Sequence, residues 1–95
     1  MKFLAIEKEL RQLNSERDKK LLREEAESVY QLQQKNKIRE IYFDENHCAV
    51  IMLECADKSE AESVLEELPL VKNGYIKFEI SALNPYTGFS RLFQV

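Results

Sequence analysis

The sequence has no tryptophan and one histidine, and its 95 residues include only two each of glycine, proline and cysteine. With two glycines there is no glycine-rich loop of the kind that binds phosphate. A single histidine, His47, and two separated cysteines do not form a zinc-binding pattern. On one strand Cys48 and Cys55 would be roughly 23 Å apart, too far for a disulfide bond. We therefore expect no metal, no cofactor and a reduced, cytoplasmic setting.

Concentrated positive charge is also missing. Fourteen Lys and Arg against 17 Asp and Glu give a formal net charge of −3, and the basic residues between Arg11 and Arg23 alternate with acidic ones. Such a surface does not suit a nucleic-acid backbone or an anionic membrane. No segment approaches the ~20 apolar residues of a membrane span, and the apolar start is too short for a signal peptide. We expect neither nucleic acid nor membrane among the partners.

The patterns that are present predict one α+β domain over residues 1–95. Leu22, Ala26 and Val29 recur at helical spacing, and Tyr75 to Leu83 alternates as a half-buried strand does. The predicted elements are strands at 2–9, 38–44, 47–56 and 75–83 and helices at 16–35 and 57–68. This βαββαβ order is typical of the ferredoxin-like fold. It predicts a four-stranded antiparallel sheet with both helices on one face and strands one and three in the centre.

Two helices leave the other face of the sheet open. Strand alternation predicts a helix-facing set of Leu4, Ile6, Ile41, Phe43, Ile51, Leu53, Phe78 and Ile80. The open face is then predicted to carry Phe3, Ala5, Glu7, Glu40, Tyr42, Val50, Met52, Glu54, Tyr75, Lys77 and Glu79. Soluble monomers rarely expose an apolar strip of this size. We expect a second copy of the sheet to cover it, in a homodimer or a larger homo-oligomer.

The polar residues of the predicted open face suggest a site. We predict that strands one and three are parallel, which places Glu7 and Glu54 at one end of the sheet with Lys77 nearby. Crowded carboxylates in a partly dry site have a raised pKa suited to proton transfer, and a lysine or tyrosine there stabilises an enolate. The candidate catalytic residues are Glu7, Glu54 and Lys77, and the candidate ligand-binding residues are Glu40, Tyr42 and Tyr75. The alternative, that these residues form salt bridges across a dimer or line a wet barrel mouth, stays open.

Several short segments carry a resemblance to a known family. The order of elements, Leu32-Gln33-Gln34 and Leu68-Pro69-Leu70 resemble the muconolactone isomerase-like proteins of the dimeric α/β-barrel superfamily over residues 2–86. Residues 39–43 (REIYF) and 85–93 (PYTGFSRLF) are similar to uncharacterised bacterial members. The resemblance implies sheets paired into a barrel. It does not choose between functions, since the isomerase has a tryptophan and a His-Pro pair where this chain has no tryptophan and Asn84-Pro85.

Two functions therefore remain open. The first is a cofactor-free isomerase or proton-transfer enzyme that acts on a small organic acid or lactone. The second is a non-catalytic oligomeric module that binds a small ligand or another protein. They differ in whether the fold encloses a pocket with a perturbed carboxylate or a filled apolar core.

The C-terminal tail, residues 84–95, is unusually apolar. Its apolar side chains are Tyr86, Phe89, Leu92, Phe93 and Val95. Termini fray unless something holds them, and a segment this apolar is costly to leave in water. We therefore expect the tail to dock, on the rim of the barrel or on a neighbouring subunit.

Overall fold

The order of elements predicted from the sequence is confirmed. The computed structural model describes residues 1–94, so Val95, a member of the predicted docking tail, lies outside the described residues. The elements are β1 (Lys2–Glu9), α1 (Lys19–Gln34), β2 (Ile38–Phe43), β3 (Ala49–Glu54), α2 (Lys58–Glu66), α3 (Pro69–Lys72), β4 (Ile76–Leu83) and a 3₁₀ helix (Gly88–Leu92). Pro69 lacks a backbone N–H, and it occupies the start of α3, where an N–H has no helical partner.

Short polar side chains determine where the two longer helices begin. Helix α1 begins at Lys19, later than predicted, because the Asn14 side chain accepts hydrogen bonds from two following backbone N–H groups at 2.9 and 3.0 Å. These bonds fold the preceding residues into a turn instead of a first helical turn. Helix α2 begins where the sequence predicts, since the Asp57 carboxylate accepts the N–H of Glu60 at 2.8 Å.

The sheet has the strand order β2-β3-β1-β4, and every neighbouring pair is antiparallel. The predicted α+β ferredoxin-like fold is therefore confirmed, but the prediction that strands one and three are parallel is wrong. Helix α1 returns the chain to the end at which β1 started, so β1 and β2 run in one direction. A tight hairpin then sends β3 the opposite way, between them. Lys2 accordingly pairs with Glu54, and Ile6 with Val50.

The two faces of β1 are also the reverse of the prediction. Phe3 and Ala5 are fully buried beneath the helices, at 0% exposure, whereas Leu4 and Ile6 lie partly buried on the open face. The physical reason is that residues 3–6 are all apolar, so alternation does not mark which side is inward. The assignments on β3 are correct, because Ile51 and Leu53 are buried in the core.

The C-terminal tail projects from the end of β4. Its apolar side chains are largely exposed, at 73% for Tyr86, 65% for Phe89, 74% for Leu92 and 79% for Phe93. The Tyr86 and Phe89 rings contact each other edge to face, with centroids 4.9 Å apart. The molecule measures 63 Å along its longest axis and 27 Å along the next, whereas an eight-residue strand is only roughly 26 Å long. The described tail therefore extends beyond its own domain, and docking on a second copy stays a prediction.

Candidate functional site

A cavity of about 470 Å³ lies between α1 and the helix-facing side of the sheet. Leu22, Ala26 and Val29 of α1 form one wall, and Ile51 and Phe78 of the central and edge strands form the floor. The cavity lies at the end of the sheet where β1 finishes and β3 and β4 begin. Its volume is within the range of about 300–1,000 Å³ that is usual for small-molecule pockets. The arrangement suits a small, largely apolar ligand.

Two carboxylates enter this apolar space. Glu25, on α1, accepts a hydrogen bond from the backbone N–H of Leu70 through Oε1, at 3.0 Å. Glu7, near the end of β1, accepts the backbone N–H of Ala49 through Oε1, at 3.2 Å. Both side chains are therefore held in place by the main chain of a neighbouring element. The lining includes neither lysine nor arginine.

The surroundings of Glu25 favour its protonated form. Burial raises the pKa of this carboxyl group above its ordinary value, and the negative charge of Glu7 raises it further. The hydrogen bond from Leu70 opposes both effects, because it stabilises the ionised form. The net effect is a raised pKa of Glu25. A carboxyl group with a raised pKa beside an apolar surface is suited to accept and return a proton.

The hairpin between β2 and β3 forms one edge of the cavity. The Phe43 and His47 rings stack there with centroids 4.0 Å apart and planes 18° from parallel. His47 has a φ of 61°, in the left-handed region, and the Asp44 side chain accepts two N–H groups of the same turn. The turn thus holds an exposed aromatic pair at the mouth of the cavity. His47 is an exposed loop residue, as the sequence indicates.

A buried polar cluster fixes the loop that closes another side. The Tyr75 hydroxyl donates to Asp18 Oδ1 at 2.9 Å, and Arg17 Nη2 and the Asn14 N–H donate to Oδ2 at 3.0 and 2.9 Å. Hydrogen bonding from Arg17 is the main cause that lowers the pKa of Asp18 far below its usual range. The cluster holds the loop between β1 and α1 in place, and Leu13 of this loop lines the cavity.

The predicted convergence of site residues is wrong, and only Glu7 among the candidate catalytic residues reaches the cavity. Glu54 lies at the opposite end of the sheet, 3.7 Å from the amino group of Met1. Lys77 lies on the open face, level with Lys8 of the neighbouring strand. The physical reason is the antiparallel β1–β3 pairing, together with the reversed faces of β1.

The candidate ligand-binding residues also lie apart from one another. Tyr42 borders the cavity, and its hydroxyl donates to Glu40 Oε1 at 2.8 Å on exposed surface. Tyr75, predicted on the open face, is instead 7% exposed, with its hydroxyl bonded to Asp18. The Arg11 guanidinium covers the Tyr75 ring at 3.9 Å. Tyr75 therefore supports the cavity from behind.

Sequence reasoning missed Glu25, although a signal was available. Glu25 lies three residues after Leu22 and four before Val29, so it falls on the apolar stripe of α1. A carboxylate within an apolar helical stripe is buried among apolar side chains, where its pKa rises. It is the residue that the helical periodicity alone could have identified.

Comparison with known proteins locates the chain by fold. No protein-family model matches the sequence, and no curated protein matches it. The structure of muconolactone isomerase superposes with a TM-score of 0.76 at 17% identity, covering 92% of each chain. The 5-chloro-2-hydroxyhydroquinone dehydrochlorinase of Burkholderia phenoliruptrix, solved in complex with 2,5-dihydroxybenzoquinone, superposes with a TM-score of 0.68 at 16% identity. The match covers 93% of this chain and 98% of that one.

These likenesses confirm the resemblance at the level of fold: the chain has the muconolactone isomerase-like form of the ferredoxin-like fold. Within residues 1–94 no helix has the length and apolar character needed to cross a bilayer. Over the same described part of the chain, no group of His, Cys, Asp and Glu side chains is arranged to hold a metal ion.

Proposed function

We propose that this chain is a cofactor-free isomerase or related proton-transfer enzyme that acts on a small organic acid or lactone in the cavity beneath α1. The observation that carries the proposal is Glu25, whose carboxyl group lines an apolar cavity and has a raised pKa. An isomerisation needs one group that takes a proton from one carbon and returns it to another, so no oxidant or reductant is required. The two structural neighbours support this substrate class, because one is a lactone isomerase and the other was solved with a small cyclic quinone bound.

The roles of the other residues follow from their positions. Ionised Glu25 would remove a proton from a carbon next to the substrate carbonyl, and the electron pair would move into the enolate. The protonated Glu25 would then return the proton at a different carbon. Glu7 assists by its charge, which keeps the proton affinity of Glu25 high. The apolar walls supplied by Leu22 and Val29 hold the substrate ring and exclude water.

We also propose that the protein works as a homodimer or larger homo-oligomer. The face of the sheet opposite the helices carries a strip of partly buried apolar side chains, namely Leu4, Ile6, Val50 and Met52. These four residues face away from both helices, on the two central strands of the sheet. Pairing two such faces would remove this strip from water, which is the usual way a sheet covered on one side is completed.

A non-catalytic ligand-binding module is the second candidate. It is favoured by one observation: both cavity carboxylates already accept backbone hydrogen bonds, Glu7 from Ala49 and Glu25 from Leu70. These bonds join β1 to β3 and α1 to α3, which is a structural role. In that case the cavity would bind a small ring without changing it.

Proton exchange at carbon separates the two candidates. The protein is incubated with muconolactone in D₂O, and deuterium incorporation and isomerisation are followed by NMR. We expect exchange with the native protein and its loss by at least ~100-fold in Glu25→Gln, as for removal of a general base. Glu24→Gln is the matched control, since Glu24 is an exposed neighbour on the same helix. Binding of the lactone without exchange would contradict the enzyme and support the binding module.

A further inference from the structure

The negative charge inside the cavity is not balanced by positive charge. The lining includes the carboxylates of Glu7 and Glu25, and within the described part of the chain it includes no lysine or arginine. Of the described lining residues, only His47 has a side chain that can carry a positive charge, and its ring stacks on Phe43 at the exposed mouth. The interior of the cavity therefore combines apolar walls with two acidic groups.

Both carboxylates are tied to the main chain of another element. Glu7 Oε1 accepts the N–H of Ala49 at 3.2 Å, and Glu25 Oε1 accepts the N–H of Leu70 at 3.0 Å. A carboxylate that turned away from an incoming ligand would leave its backbone N–H without this acceptor, which is costly in a partly buried place. The two acidic groups therefore stay where a ligand would meet them.

Two basic residues close to the cavity in the sequence are engaged elsewhere. Lys8 follows Glu7, but it lies on the open face of the sheet, where its Nζ is 3.9 Å from Glu79 Oε2. Arg17 belongs to the loop before α1, and its Nη2 donates to Asp18 Oδ2 at 3.0 Å. Neither side chain therefore supplies the positive charge that the cavity lining lacks.

An anionic ligand is disfavoured in this cavity for two reasons. It would lose part of its hydration, and it would lie close to fixed negative charge in surroundings that strengthen the repulsion. The two carboxylates already affect each other, since the charge of Glu7 raises the pKa of Glu25. An uncharged ring has neither cost and still buries its apolar surface against Leu22 and Val29.

We infer that the cavity beneath α1 binds an uncharged lactone in preference to an ionised organic acid, and that the carboxylates of Glu7 and Glu25 determine this preference. The inference rests on the proposed function and narrows its substrate class to one of the two compounds named there. The proposed proton transfer needs a carbonyl group beside the reacting carbon, and a lactone ring supplies it without a charge. Glu7 thereby becomes a residue that determines specificity.

Two probes that differ by one charge test the inference. Muconolactone carries a carboxylate on its side chain, and its methyl ester is similar in size but uncharged. The affinity of the native protein for each compound is measured at pH 7 by NMR chemical-shift titration. We expect the ester to bind at least about tenfold more tightly, because it avoids the repulsion. Equal affinities, tighter binding of the free acid, or no binding of either compound would overturn the inference.

Variants show whether the carboxylates cause the preference. Glu7→Gln and Glu25→Gln each remove one carboxylate and keep an oxygen that can accept the backbone N–H. Each should strengthen the binding of muconolactone by at least about threefold and change the affinity for the ester much less. Glu9→Gln is the matched control, because Glu9 is exposed on the same strand and lies outside the cavity lining. If Glu7→Gln and Glu9→Gln had equal effects, the cavity charge would not cause the preference, and the inference would be wrong.

The binding comparison and the proton-exchange assay can fail separately. Exchange is measured at saturating lactone, where a weaker affinity does not limit it. If the ester binds preferentially but neither compound exchanges protons, the proposed enzyme is refuted and the charge preference is supported. If exchange occurs while both compounds bind equally, the charge preference alone is refuted.

Discussion

Replacing Tyr75 by phenylalanine tests how strongly the buried polar cluster holds the cavity loop. The substitution removes one hydroxyl, which donates to Asp18 Oδ1 at 2.9 Å, and keeps the ring beneath Arg11. A hydrogen bond to a charged group contributes about 1.5–3 kcal/mol. Arg17 Nε also reaches Oδ1, at 3.3 Å, so Asp18 keeps a partner and the loss should fall at the lower end. For a domain of this size, about 1.5 kcal/mol lowers the melting temperature by roughly 6–12 °C.

The measurement is thermal unfolding by circular dichroism at pH 7, with Tyr42→Phe as the matched control. The Tyr42 hydroxyl makes a bond of similar length, 2.8 Å to Glu40, but the residue is 59% exposed. Water replaces a bond lost at the surface, so the control should unfold close to the native protein. If the melting temperatures of both variants fell equally, burial would not be what strengthens the Tyr75 hydrogen bond, and the reasoning would be refuted.

Acid should reduce the difference in melting temperature between Tyr75→Phe and the native protein. The pKa of Asp18 is lowered in the folded state, chiefly by Arg17, so its stabilising effect is present above its ordinary value of 3.8. That contribution is lost as the pH falls through the lower pKa of the folded state. Because Arg17 keeps this pKa depressed in both proteins, their melting temperatures, measured from pH 7 downward, should converge only well below about pH 4. A constant difference down to the lowest pH would contradict the role of ionised Asp18.

Three further substitutions probe assembly, the cavity and a helix end. Val50→Lys should reduce the proposed oligomer to monomer in light scattering, because it places a charge in the proposed interface. Ser63→Lys, at an exposed position of α2, should not. Glu25→Gln should flatten the pH dependence of the melting temperature above pH 4.5, since a raised pKa means stability that is lost as the pH rises. An unchanged pH profile would show that Glu25 is not buried in solution. Asp57→Ala should cost about 1 kcal/mol in chemical unfolding, because the Glu60 N–H loses its cap.

The sequence predicted the fold well because its periodic signals agree with one another. The alternation along β4 and the apolar stripe of α1 belong to segments with one buried side, so period and burial coincide. The cap at Asp57 and the break at Pro69 depend only on local chemistry, and local chemistry is read directly from the sequence.

The site was less predictable, since it depends on which way each strand points. Strand β1 is apolar on both sides, so Phe3 and Leu4 were equally good candidates for the core. Pairing β1 and β3 in the wrong direction then placed Glu7 beside Glu54, although they lie at opposite ends of the sheet. A one-residue change of parity moves every side chain of a strand to the other face. With the wrong parity, the predicted site lies on the open face, whereas Glu25 lies on the helix-facing side of the sheet.

The irregular edge of β2 affects how a single copy avoids aggregation. The register of β2 against β3 shifts between Ile38 and Glu40, so Arg39 falls in a bulge of an outer strand. At the other edge, β4 carries the charged side chains of Lys77 and Glu79. Bulges and charged side chains make a strand edge a poor template for uncontrolled strand addition. Both open edges of a single copy therefore resist aggregation by strand addition, even while the apolar face that the proposed second copy would cover is still exposed.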